Sequence, residues 1–215
     1  MATEFSWTDL DEGWRVALEE AWDAFRTGNI AVGAVACDAR GKVRYRARNR
    51  VADREAPVGQ VFGASLAHAK TNVLAQVRFR SIDGLVLTTT LQPCLQCSAA
   101  IRQCRSIEAV RIAGSDSLWD GCDDFTSISP WIARRGVIPT EGPRRDEIGV
   151  FATLISRFGL GLVPVVEEAL RQNGEGPLLD LADGLESSGW CDRAVNEAVT
   201  WAIRDLWSEL RSFTR

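Results

Sequence analysis

The sequence predicts an α/β protein: a three-layer α/β/α sandwich around a central mixed five-stranded sheet, carrying a C-terminal helical extension. Three observations predict it. Segments with apolar residues at helical spacing alternate with short strand-like runs over the first 158 residues. A hairpin pattern follows the first helix, with two strand runs separated by a tight turn. Past about residue 160 the texture changes to helical segments broken by Gly and Pro. Residues 1–158 are expected to form the sandwich and residues 159–215 the extension.

In chain order, residues 8–27 carry Leu10, Trp14, Ala17, Leu18, Ala21 and Phe25 at helical spacing. Ser6 or Thr8 is the expected cap, and TGN ends the helix. IAVGAVACD (30–38) reads as a buried strand, ARG as a turn and KVRYRARN (42–49) as an alternating strand. Residues 50–64 are polar, contain Pro57 and Gly59, and read as a loop. Helical spacing returns over 65–80 through Leu66, Val73, Leu74 and Val77. GLVLTTT (84–90) is a strand, and PCLQCSAAIRQC (93–104) a helix opened by a proline whose missing N–H suits that place. IEAVRIAG (107–114) is the fourth strand and VIPTEG (137–142) holds a short fifth. The extension reads as two or three helices with Trp190, Trp201 and Trp207 on apolar faces.

A chain of 215 residues, 46% hydrophobic and 25% charged, is long enough for a substantial core. Its net charge of -4 and pI near 5.2 weigh against a general nucleic-acid coat and against an anionic membrane surface. The acidic N-terminus shows no apolar signal core and no run long enough to span a bilayer, so the expected location is cytoplasmic. In a reducing compartment the six cysteines are metal ligands or buried thiols rather than disulfides. Cys37 and Cys104 read as buried thiols.

The chemistry gathers at His68, the only histidine, and at Cys94 and Cys97. Imidazole and thiolates suit Zn²⁺ in a tetrahedral site. A Cys-x-x-Cys at a helix start aims both sulfurs at one point, where the helix dipole favours thiolates. Three protein ligands leave a fourth position open, as catalytic zinc requires.

HAK (68–70) followed by TLQPCLQC (90–97) resembles the zinc-dependent nucleobase and nucleoside deaminase superfamily, whose signature is H-x-E followed by P-C-x-x-C. The resemblance covers about residues 8–158, includes VGAV (32–35) and ARNR (47–50), and is nearest to the tRNA adenosine deaminase and guanine/guanosine deaminase branches. It implies a cytidine deaminase-like fold, zinc, hydrolytic removal of an exocyclic amine, and a homodimer. Asn49 matches the family's substrate-contacting Asn. DSLWDGCDDF (116–125) is similar to a Gly-Phe-Asp-Asp stretch of the guanine deaminases, which implies a purine-type substrate oriented by Asp123 and Asp124. Trp119 in the same stretch offers a ring for stacking. A cytosine- or tRNA-directed reaction is the alternative within enzymes, and the acidic charge weighs against RNA. The C-terminal helices are expected to cover the sheet or to pack on a second subunit.

One residue departs from the pattern. Where the family carries its proton-shuttling Glu, this chain has Lys70, one of only two lysines. A protonated ammonium accepts no proton and repels a nearby metal ion. Three accounts stand open: a Glu-to-Lys change on an active deaminase, a pseudoenzyme or partner subunit like the non-catalytic subunit of the heterodimeric tRNA deaminases, or a lysine with an altered catalytic role. Loss of the shuttle nearly silences deamination unless another carboxylate substitutes, and Asp116, Asp123 and Asp124 are the candidates. Arg134–Arg135 and Arg144–Arg145 are expected on the solvated surface.

Overall fold

A computed structural model describes residues 5–79, 83–122, 124–125, 127–134, 136–158 and 164–214. The first helix, α1 (Glu12–Arg26), starts later than the spacing suggests. Residues 7–9 form a separate 3₁₀ turn, and the Ser6 and Thr8 hydroxyls bond each other at 2.8 Å. The cap is Asp11, whose Oδ1 accepts from Trp14 N at 3.0 Å and puts negative charge at the helix start.

The hairpin β1 (Gly33–Cys37) and β2 (Val43–Arg48) is antiparallel. There follow α2 (Ala69–Gln76), β3 (Leu85–Leu91), α3 (Leu95–Gln103), β4 (Ile107–Gly114), α4 (Pro130–Arg134) and the two-residue β5 (Thr140–Glu141). The five strands form one sheet in the order β2-β1-β3-β4-β5. β1 is antiparallel to both neighbours, and β3, β4 and β5 run parallel, so the sheet is mixed. Helix α5 (Glu147–Ile155), capped by Asp146 on Gly149 N at 3.1 Å, has no counterpart in the sequence reading.

Alternation along β1 builds both faces. Val35 and Cys37 pack with Ala17 of α1, whereas Ala34 and Ala36 join Ala69, Val73 and Ile101 of α2 and α3. Helix α1 crosses β1 so closely that a Cβ on Gly33 would stand against Ala17 O and Ala21 N. Only glycine permits that approach.

The described residues of the extension form five helices rather than two or three: α6 (Pro164–Leu170), α7 (Gly176–Ser187), α8 (Trp190–Ala194), α9 (Val199–Asp205) and α10 (Trp207–Ser212). Residues 171–175 join α6 to α7 through a kink at Gly174, whose φ is 90°. Gly189, at φ 71°, separates α7 from α8 in a conformation that favours glycine. Helices α7 to α10 share an apolar cluster with α1 and α5 that includes Trp22, Phe151, Trp190 and Leu210. Trp22 Nε1 donates to Glu197 O at 2.8 Å, and Trp190 stacks on Trp201 with centroids 5.7 Å apart. Trp190 is buried, while Trp201 and Trp207 are partly buried against the same cluster.

Arg144 is not a free surface charge: it pairs with Asp146 and lies 5.2 Å from the Trp14 ring centroid. Arg134 is exposed and Arg135 lies outside the described residues. Among the described residues no helix is long and apolar enough to cross a membrane.

Candidate metal centre and adjoining cavity

Strands β3 and β4 run parallel and present their C-terminal ends on one edge. The two residues that open α2 and α3 arrive at this edge. His68 and Cys94 are both N-cap residues with extended backbones, and Cys97 follows in the first turn of α3. The expected helix over 65–80 therefore begins only at Ala69, because Ala64 O and Leu66 O accept from Ala67 N and His68 N in tight turns. Pro93 likewise precedes the cap instead of occupying the first helical turn.

His68 Nδ1 lies 3.5 Å from Cys94 Sγ and 3.4 Å from Cys97 Sγ. The three candidate ligand atoms all fall within 4.8 Å of one another. Tetrahedral zinc with ordinary Zn–N and Zn–S bonds sets an N···S separation of about 3.6 Å. The donor set and its spacing thus fit zinc. Among the described residues no other group of three His, Cys, Asp or Glu side chains is gathered in this way. The Cys97 thiol, and then the His68 ring, hold the Cys94 pKa down to about 3, against burial. The same sharing with Cys94, with burial, drives Cys97 upward.

Lys70 is 3% exposed, in the first turn of α2. Its Nζ donates to Leu91 O at 2.9 Å and to Thr89 Oγ1 at 3.3 Å. Its positive charge reaches Cys97 and favours the thiolate there.

A cavity of about 510 Å³ opens beside this group. His68, Cys94 and Lys70 line it together with Asn49, Asp116 and Trp119. Asn49 is buried, and its Oδ1 accepts from Val51 N at 3.1 Å, so what it offers a ligand is amide N–H. Gln92 holds the Trp119 loop in place. Its Nε2 donates to Trp119 O at 3.4 Å and to Asp120 Oδ1 at 3.0 Å, and its Oε1 accepts from Asp116 N at 3.2 Å. Asp124 is exposed and stands outside the cavity wall. Asp123 lies outside the described residues.

Several cavity-lining residues, Arg157, Val166 and Leu170 among them, had no place in the sequence reading. Arg157, just past α5, donates from Nε to Glu175 Oε2 at 2.9 Å, and its Nη2 lies 3.6 Å from Asp116 Oδ1. Glu175 Oε1 also accepts from Ser117 N at 3.1 Å. This network ties the kinked 171–175 segment to the loop after β4. Val166 and Leu170 of α6 complete the apolar part of the wall, so the chain's own extension covers the cavity. Burial raises the Asp116 pKa, Arg157 opposes the rise and Glu175 adds to it. No local motif announces such a contact; only Asp116, next to β4, stood among the candidates.

Comparison with known proteins agrees with this geometry. The family model described as "Cytidine and deoxycytidylate deaminase zinc-binding region" matches residues 8–113. A tRNA-specific adenosine deaminase of Aquifex aeolicus (strain VF5) is 30% identical over 107 residues, which is 50% of this chain and 67% of that protein. Among solved structures, a guanine deaminase from Nitrosomonas europaea is 18% identical, with a TM-score of 0.49 over 67% of this chain and 81% of that one. A structure from work on tRNA:A34 deaminases is 24% identical, with a TM-score of 0.46 over 60% of this chain and 89% of that one. By the matched region, by the identity to the Aquifex protein and by its histidine-and-two-cysteine donor set, the chain belongs to the cytidine and deoxycytidylate deaminase family of zinc-binding proteins.

Proposed function

We propose that the chain is a zinc-dependent hydrolytic deaminase of a purine-type nucleobase or nucleoside, with turnover held low by Lys70. The observation that carries this reading is the single cavity shared by the metal donors, Asn49, Trp119 and Lys70. Its volume of about 510 Å³ falls within the usual range for small-molecule sites.

His68, Cys94 and Cys97 hold the metal. Zinc bound there supplies Lewis-acid activation of water near neutral pH. Asn49 donates its amide N–H to an acceptor on the base or ribose. Trp119 offers a ring face to the base. Leu118, Val166 and Leu170 exclude bulk water. A charged Lys70 has three donors and no acceptor, so it takes no proton from water. Its ammonium is committed to Leu91 O and Thr89 Oγ1. Asp116 is the cavity carboxyl left to move a proton, and the raised pKa favours that use. Asp123 and Asp124 are left with a proposed part in substrate orientation that rests on the motif resemblance alone.

The test is ammonia release by the zinc-loaded chain against guanine, guanosine, adenine and cytosine derivatives, with affinities measured alongside. Binding restricted to purines, with slow release, supports the reading. Binding or turnover restricted to cytosine derivatives overturns its substrate class.

A second reading, a zinc-binding partner subunit without turnover, is favoured by the two bonds that tether the Lys70 ammonium. The proposal also carries a homodimer. Leu66 and Leu95, next to the metal ligands in sequence, are 60% and 51% exposed, and a second copy would cover them. Sedimentation at twice 23.6 kDa is the expected result.

A further inference from the structure

Two arginines among the described residues are more than nine-tenths buried, Arg102 and Arg157. Arg157 has its charge matched by Glu175 and Asp116. Arg102, in the last turn of α3, has no ion pair with any carboxylate among the described residues. Its Nη2 donates to Ile132 O at 3.4 Å and to Gly136 O. Its Nε is buried and has no hydrogen-bond partner among the described residues. A buried guanidinium that lacks a counter-charge is costly, and an unpaired donor adds to that cost.

Arg102 lines a second cavity, of about 110 Å³. The apolar part of its wall comes from Ile101, Val110, Ile112 and Ile138. Gln92 and Trp119 belong to the walls of both cavities, so the small one adjoins the one at the metal donors. A bound water takes up about 30 Å³ of liquid volume, so the space admits a few waters or one tetrahedral oxyanion.

We propose that the small cavity is a phosphate subsite, in which Arg102 Nε–H donates to a phosphate oxygen and the guanidinium supplies the missing counter-charge. The phosphate is either inorganic or the 5′-phosphate of a nucleotide whose base lies in the larger cavity. Only the nucleotide case rests on the proposed function; binding of free phosphate needs no turnover.

The test is calorimetric titration of the 215-residue chain with inorganic phosphate, with a purine nucleoside and with its 5′-monophosphate, in the parent and in Arg102→Met. The expected result is phosphate binding by the parent that weakens at least tenfold in Arg102→Met. A monophosphate that binds at least tenfold tighter than its nucleoside in the parent, but not in the variant, assigns the phosphate to the nucleotide. Equal affinity of the two, with phosphate bound independently, assigns it to free phosphate. No binding of phosphate or of the monophosphate by the parent, or binding unchanged in Arg102→Met, overturns the proposal. If Arg102→Met does not fold, Ile138→Phe fills the cavity and keeps Arg102. Loss of phosphate binding in that variant supports the site, and undiminished binding overturns it.

Discussion

The Lys70 ammonium donates to the Leu91 carbonyl at 2.9 Å, at the end of the strand that leads into the Cys94–Cys97 helix. The residue in the shuttle position is therefore fixed to the backbone beside the metal donors. It holds a positive charge that reaches Cys97, at the place where the resemblance sets a carboxylate.

The metal prediction is the simplest. Purified chain carries one zinc, and His68→Ala, Cys94→Ser and Cys97→Ser each lose it. At a thousandfold excess over Kd a ligand bound only to the folded state contributes about 4 kcal/mol. Chelation should accordingly lower the melting temperature of the parent and leave that of the Cys94→Ser variant unchanged. Elemental analysis and a thermal scan with and without chelator check both statements.

Trp22 joins α1 to the extension. It is 2% exposed, packs against Phe25, Phe151 and Trp190, and donates to Glu197 O. Trp22→Ala should cost about 3–5 kcal/mol, the usual range for deleting a buried aromatic. Denaturant unfolding measures it. A loss under 1 kcal/mol would mean that the extension does not depend on this contact.

Asp116 has a folded pKa raised above its ordinary value of 3.8, by burial first, with Arg157 opposing and Glu175 adding. The folded chain thus holds this proton more tightly than the unfolded chain. The group's contribution to stability is complete below the unfolded value and is lost as pH rises through the raised folded value. Asp116→Asn, which cannot ionise, should be more stable than the parent at neutral pH. That advantage should fade as pH falls toward 3.8. Stability curves of the two chains against pH test the sign, and a parent more stable than the variant at pH 7 contradicts it. Residual ammonia release, where present, should be lost in the same variant.

The legible parts of this molecule were the local ones. The Pro-Cys-x-x-Cys run, the lone His68 and the alternation in VRYRAR each express a rule that acts within a few residues, and the strands and the metal donors follow from them. Helix ends were less legible. Ser6, Thr8 and Asp11 are all competent caps, and the choice of Asp11 follows from where Trp14 has to be buried. The part of the cavity wall built by Arg157, Val166 and Leu170 was not legible, because these residues reach Asp116 and Trp119 only once the chain beyond α5 has folded back over the sandwich. Asp124 shows the reverse case: its motif resemblance suggested a cavity residue, and its side chain is exposed.

The most direct measurement is the rate of ammonia release from a purine nucleobase or nucleoside by Lys70→Glu relative to the parent, at equal zinc content. A restored acid/base group in this position should raise the rate by about 10² to 10⁴. Equal rates in the two proteins would contradict the account; so would no release by either with zinc fully bound, which would leave the chain as a metal-binding relative without turnover.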